Sequence, residues 1–157
     1  MPQAGFLFSI AGLSLSLAGF AGLVAAFKRG APLRPIDAFR LRELPEMALA
    51  TTFLAVLSTP LADAIGSASI AIQVASGLAL LFTIGHVLRL VSRVREMEIN
   101  QTGARNLLVT GANFLVCGAG AISLSLGSAA AYEWLLLFML ARPMLAFVLV
   151  LTEVAPG

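Results

Sequence analysis

Residues 5–27 read GFLFSIAGLSLSLAGFAGLVAAF and stop at Lys28-Arg29. Those 23 positions carry no charge. At about 1.5 Å rise per residue, a helix of this length covers the ~30 Å hydrocarbon core of a bilayer with room to tilt. The basic pair that ends it belongs to a pattern running through the whole chain. Lys28, Arg29, Arg34, Arg40 and Arg42 form one cationic cluster, and Arg89, Arg93, Arg95 and Arg105 form a second. Of the 10 Lys and Arg residues only Arg142 stands apart, inside an apolar run. Apolar spans joined alternately by basic and non-basic connections predict a polytopic helical membrane protein with its basic loops in the cytoplasm.

The composition agrees. Of the 157 residues 59% are hydrophobic and 11% charged, with a mean hydropathy of +0.97. Soluble domains carry about 25% charged residues, so in water this chain would lack a polar shell. The pI of about 9.3 does not point to nucleic acid, because both basic clusters flank apolar spans without interleaved aromatics. They read as topology signals that also attract anionic headgroups of the lipid bilayer. One cysteine, Cys117, excludes an intrachain disulfide and a cysteine-rich metal site. No basic region precedes the first apolar run, which is also too long for the core of a cleaved signal peptide.

Four more apolar segments follow, at about 44–62, 67–91, 106–127 and 135–151. The expectation is an all-α, single bundle of five transmembrane helices over residues 1–157. In the second span Pro45 is read at a first-turn position, and Thr59-Pro60 as a kink or an early end. A short acidic connection around Asp63 and Gly66 precedes the third span. That helix is expected to run on to about Glu98 through the i,i+3 pairs Arg93/Glu96 and Arg95/Glu98, and residues 100–103 break it. Tyr132, Glu133 and Trp134 read as an interfacial belt. The last segment, interrupted by Arg142-Pro143, leaves two readings open: a full span, which is the expectation, or a re-entrant or interfacial helix. With five spans, the amino terminus lies outside and the carboxy terminus inside. Taken as a surface helix, the stretch IDAFRLRELPE (36–46) shows no clean apolar face.

Lipid gives helices no hydrophobic reason to associate, so small residues that allow close backbone approach carry information. The first span offers such a seam in Gly5, Ser9, Gly12, Ser16 and Gly19, with 4,3 spacing. The fourth repeats it with more polarity in Asn106, Thr110, Asn113, Cys117 and Gly120. Both seams are read as contacts that simply hold the bundle or an oligomer together; the alternative is that the polar one also lines a path. Each segment also contains Ser-Leu-Ser-Leu, at 14–17 and 123–126, a weak hint of duplication. On the third span Gln73, Ser76 and Thr83 share a stripe that meets His86, Arg89 and Arg93 at its inner end. Such a face belongs inside the protein, with Arg89 and Arg93 snorkelling to the headgroups.

Arg142 is the sharpest single feature. Counted from the aromatic belt it falls near mid-membrane, where an arginine is disfavoured by about 2.5–3.5 kcal/mol and marks a functional site by default. At the same depth the fourth helix presents Cys117 and Gly120, and Asn113 one turn lower is placed to accept a hydrogen bond. No carboxylate of the chain is expected there. Arg142 is therefore satisfied by amides and backbone carbonyls, including one freed by Pro143, or by an acidic residue of another subunit, or by an anion. His86, the only histidine, has no second axial ligand at a supporting spacing, although Met139 and Met144 exist, so no haem, other cofactor or metal is expected. Its intrinsic titration near neutrality leaves proton coupling open. Cys117 in an apolar helix reads as inert.

The motifs of common chemistries are missing: no G-x-x-x-x-G-K-[ST], no H-E-x-x-H, no paired carboxylates and no triad. The chain also lacks a TVGYG filter, and its first helix lacks the acidic residue of small multidrug exporters. The functional expectation is a non-enzymatic integral membrane protein of the bacterial inner membrane, working through helix packing as a homo-oligomer or as a subunit of a larger membrane complex. The alternative is a channel or carrier for an ion or small solute, with its path along helices three and four and Arg142. A haem- or quinone-binding electron carrier is a third class, which an absorption spectrum would expose.

Overall fold

A computed structural model describes residues 2–27, 35–96 and 104–154, with side chains described for 2–24, 26, 41–93 and 108–149. Within these, five α-helices follow one another: α1 Ala4–Phe27, α2 Pro35–Ile65, α3 Ala68–Glu96, α4 Ala104–Leu126 and α5 Ala129–Val154. Each contains a stretch long and apolar enough to cross a membrane, from 19 residues in α4 to 26 in α3. The all-α, five-span architecture read from the sequence is the one observed. Lys28, Arg29, Arg34, Glu98 and the break at 100–103 lie outside the described residues, as do the side chains of Arg40, Arg95, Glu96, Arg105 and Asn106.

Two turns on the side remote from the basic residues are built alike. Gly66 (φ 72°) and Gly127 (φ 58°) take the left-handed conformation that closes a helix. Their amides donate to the carbonyls of Ala62 and Ser123, both at 2.9 Å. The next residue opens the following helix in each case. The Ser67 hydroxyl accepts from the Ile70 amide at 3.5 Å, and the Ser128 hydroxyl accepts from the Ala131 amide at 3.2 Å. Gly-Ser thus ends one helix and caps the next, which makes each connection only two residues long and forces antiparallel neighbours.

The second helix corrects the sequence reading. It begins at Pro35 rather than at 44 and runs to Ile65, so Pro45 and Pro60 both lie inside it. Each proline removes one backbone hydrogen bond, yet the helix continues because its flank is held by packing. Leu41 and Leu44 are buried against Ala21, Val24, Ala146 and Phe147. The buried positions 41, 44, 48, 51, 55, 58 and 62 keep a 3,4 spacing straight through Pro45.

The last helix is the hub. In its spanning stretch 44% of residues are buried, against 22–33% in the other four. Its Tyr132, Leu135, Leu136, Met139 and Leu140 pack with Leu7, Leu54, Ile72 and Val116 from the surrounding helices. Arg142-Pro143 does not break it, and the re-entrant alternative is not what forms. The aromatic belt also needs correction. Tyr132 is fully buried, and its hydroxyl donates to the Leu54 carbonyl of α2 at 2.6 Å. Glu133 turns to the α1 terminus, where its Oε1 accepts from the Gln3 amide at 3.1 Å and satisfies a donor that the helix leaves free. Trp134 alone of the three faces outward.

The two small-residue seams part ways. Gly5, Ser9, Gly12, Ser16 and Gly19 are all exposed. A methyl group at any of those glycines would meet nothing within 4 Å. The α1 face that packs on the bundle is a different one, with Leu7, Ile10, Ala11, Ser14 and Ala21. Ser9 and Ser16 donate to their own helix, at Gly5 and Gly12. On α4 the seam does turn inward at Asn113 and Gly120, with Cys117 half-buried and Thr110 exposed. Gly120 admits Leu80 of α3 so closely that a Cβ there would lie 2.8 Å from the Leu80 Cγ.

Candidate functional site

Four helices bring polar groups together near the basic side of the bundle. Glu43, which the longer α2 carries into the protein, places its Oε2 3.3 Å from Nε2 of His86 on α3. Both side chains are largely withdrawn from the surface, at 15% and 3% exposure. Phe82, one turn earlier on α3, stacks on the imidazole with centroids 6.4 Å apart. Alongside, Glu46 meets Arg89 at 3.7 Å. Glu43/Glu46 and His86/Arg89 are both i,i+3 pairs, so the two contacts share one α2–α3 seam. The Glu46–Arg89 pair is open to solvent or headgroups, at 46% and 66% exposure, and so contributes little. The Glu43–His86 pair is the enclosed one.

Arg142 reaches the same region from α5. It is 5% exposed, and its guanidinium lies within electrostatic reach of the Glu43 carboxylate and the Cys117 thiol. This corrects the expectation that no carboxylate of the chain comes near Arg142. That expectation placed residue 43 in a loop, whereas the helix that begins at Pro35 carries it inward. Along α5, which begins at Ala129, Arg142 lies roughly 20 Å from the Gly127 turn.

Asn113 lies at a similar depth on α4 and is 8% exposed, one turn below Cys117 on the same helical face. Its Oδ1 has no hydrogen-bond partner. The hydrogen bond expected from Arg142 to Asn113 is therefore not made. An orphaned buried acceptor is disfavoured by about 1–3 kcal/mol and calls for an explanation.

Other polar residues singled out from the sequence are not part of this cluster. The Thr83 hydroxyl donates to the Ala79 carbonyl of its own helix at 2.8 Å. Gln73 sits near the opposite end of α3, beside the Gly127 turn. Between Gln73 and the cluster, the Ser76 and Ser123 hydroxyls bond across α3 and α4 at 2.7 Å, and the apolar side chains of Ala75, Ala79 and Val116 fill the bundle interior. Arg42, Arg89 and Arg93 are exposed at the basic end. Among the described residues no three His, Cys, Asp or Glu side chains converge as metal ligands would.

The residue that sequence reasoning missed is Glu43. A signal was present, since the 3,4 spacing of Leu41, Leu44, Ala48 and Thr51 crosses Pro45 and argues for an earlier helix start. Comparison with known proteins finds nothing similar: no protein family, curated protein or solved structure matches this chain.

Proposed function

We propose that this is a non-enzymatic integral membrane protein that works by helix association, as a homo-oligomer or as a subunit of a larger membrane assembly. The observation behind this reading is the outward face of α1, where Gly5, Ser9, Gly12, Ser16 and Gly19 stay exposed among the described residues. A helix that only met lipid would gain nothing from such a strip of small residues, whereas close approach of another helix does. The basic clusters orient it with the amino terminus outside and the basic loops in the cytoplasm, in a bacterial inner membrane. Light scattering of the detergent-purified protein tests the assembly. Gly12→Leu is expected to reduce the particle mass while leaving helical content unchanged. A stable wild-type monomer that co-purifies with nothing would remove this reading.

A second reading, a carrier or channel for an ion or small solute, draws support from the enclosed Glu43–His86–Arg142 cluster. Buried charge in a membrane bundle marks ion and proton routes more often than it stabilises a fold. Flux into proteoliposomes that persists undiminished in Arg142→Ala would count against it.

A further inference from the structure

Resting on the second of those readings, we infer that the cluster is a proton-linked anion site: a small monovalent anion binds at Arg142 when His86 takes up a proton. The reason is that one carboxylate serves two basic side chains, His86 in direct contact and Arg142 at longer electrostatic range. Glu43 stands 3.3 Å from His86 and within electrostatic reach of Arg142.

The ring nitrogen Nε2, which faces a carboxylate oxygen, carries its hydrogen in either state, so the exchangeable proton belongs to Nδ1. With Nδ1 free, the imidazole is neutral and the charge of Glu43 balances Arg142, leaving the cluster without net charge. With Nδ1 protonated, Glu43 is taken up by an imidazolium in direct contact, and one positive charge remains uncompensated in an enclosed, apolar setting. An isolated charge there is strongly disfavoured. An anion at the guanidinium removes it, so proton and anion favour each other's binding, and the linkage is reciprocal.

The surrounding groups allow this. From α2 only Glu43 and the outer Glu46 bring negative charge, and Glu46 is engaged by Arg89. From α3 come Arg89 and Arg93, both exposed at the basic end. On α4, among the described side chains, the titratable group is the Cys117 thiol. The helix α1 contains no titratable side chain. Among these described groups no second carboxylate is in place to neutralise Arg142.

The full-length protein in nanodiscs of neutral lipid tests this, with chloride and acetate as probes and gluconate at equal ionic strength as the control. Because the chain has a single histidine, imidazole NMR signals report the site without ambiguity. At a fixed pH near 6.5, chloride or acetate is expected to raise the protonated fraction of His86 and to draw protons from a weakly buffered solution, while gluconate does neither. Both probes should bind about tenfold more tightly at pH 5.5 than at pH 8, in the usual range of such couplings. Arg142→Gln should abolish the anion effect. Glu43→Gln should bind the probes at pH 8 as well, because Arg142 is then uncompensated at every pH. Should Arg142→Gln fail to fold, Arg142→Lys, expected to keep the coupling, and Glu43→Gln carry the test. An imidazole titration identical in chloride, acetate and gluconate overturns the inference, as does an anion effect that survives Arg142→Gln. Intact linkage without flux in proteoliposomes would remove the transport reading and leave the site standing.

Discussion

The Tyr132 hydroxyl donates a 2.6 Å hydrogen bond to the Leu54 carbonyl, fastening the central helix α5 to the middle of α2. The ring is fully buried among apolar side chains. Two substitutions separate its two contributions. Tyr132→Phe removes only the hydrogen bonding of the hydroxyl and should lower stability by roughly 0.6–1.5 kcal/mol, since interhelical hydrogen bonds in membranes are modest. Tyr132→Ala also opens a cavity, with a loss of about 3–5 kcal/mol. Reversible SDS-induced unfolding, followed by circular dichroism, measures both.

The Glu43–His86 contact predicts a strong context dependence. Glu43→Gln leaves Arg142 and His86 facing an apolar interior without a counter-charge. Removing one member of a buried charged set lowers stability by about 3–5 kcal/mol. The double variant Glu43→Gln/Arg142→Gln removes both charges and should recover most of that loss. A double-mutant cycle that comes out additive would mean that the two residues do not interact.

Gly120 fixes how closely α3 and α4 approach. A Cβ there would stand 2.8 Å from both Cγ and Cδ2 of Leu80 and 3.6 Å from Leu135. Because Cγ lies near the root of the Leu80 side chain, the ring of contacts cannot yield freely. Gly120→Ala should therefore destabilise by about 1–3 kcal/mol, and Leu80→Ala in the same chain should relieve most of that effect. Thermal denaturation in detergent compares the three variants.

The paired turns give an internally controlled comparison. Gly66 and Gly127 share a positive φ, so alanine at either carries the same left-handed backbone penalty of roughly 1–2 kcal/mol. Around Gly66 a methyl group meets nothing within 4 Å, but at Gly127 it would collide with the Ser69 hydroxyl and crowd the Ser69 carbonyl at 3.2 Å. Gly127→Ala is expected to be clearly more destabilising than Gly66→Ala, and Gly127→Ala with Ser69→Gly to fall between them. The same SDS titration ranks them.

How far the chain could be read varies from residue to residue. The uncharged stretch at 5–27 and the placement of nine basic residues in two clusters announced membrane helices and their alternation directly. His86 and Arg142 were legible as unusual because ionisable groups are rare in such segments. Their meeting with Glu43 was not. A proline normally ends or opens a helix, so Pro45 drew the start of α2 past Glu43 and left that carboxylate in a loop. Tyr132 misled for a related reason: beside Glu133 and Trp134 its composition resembles a headgroup belt, and only packing shows that it points at Leu54.

Length, charge and hydropathy alone determined the solvent of this protein and the number of its helices. Each of these depends on the transfer of one segment at a time between water and lipid. The tertiary structure alone decided that α5 is the hub, that the α1 seam faces outward while Gly120 faces in, and that Glu43 meets His86 with Arg142 in electrostatic reach. In helices apolar on every side, lipid tails and protein interior are nearly equal solvents for a side chain, so periodicity cannot say which face turns inward. That choice is made by close packing and by the few polar groups that must find one another.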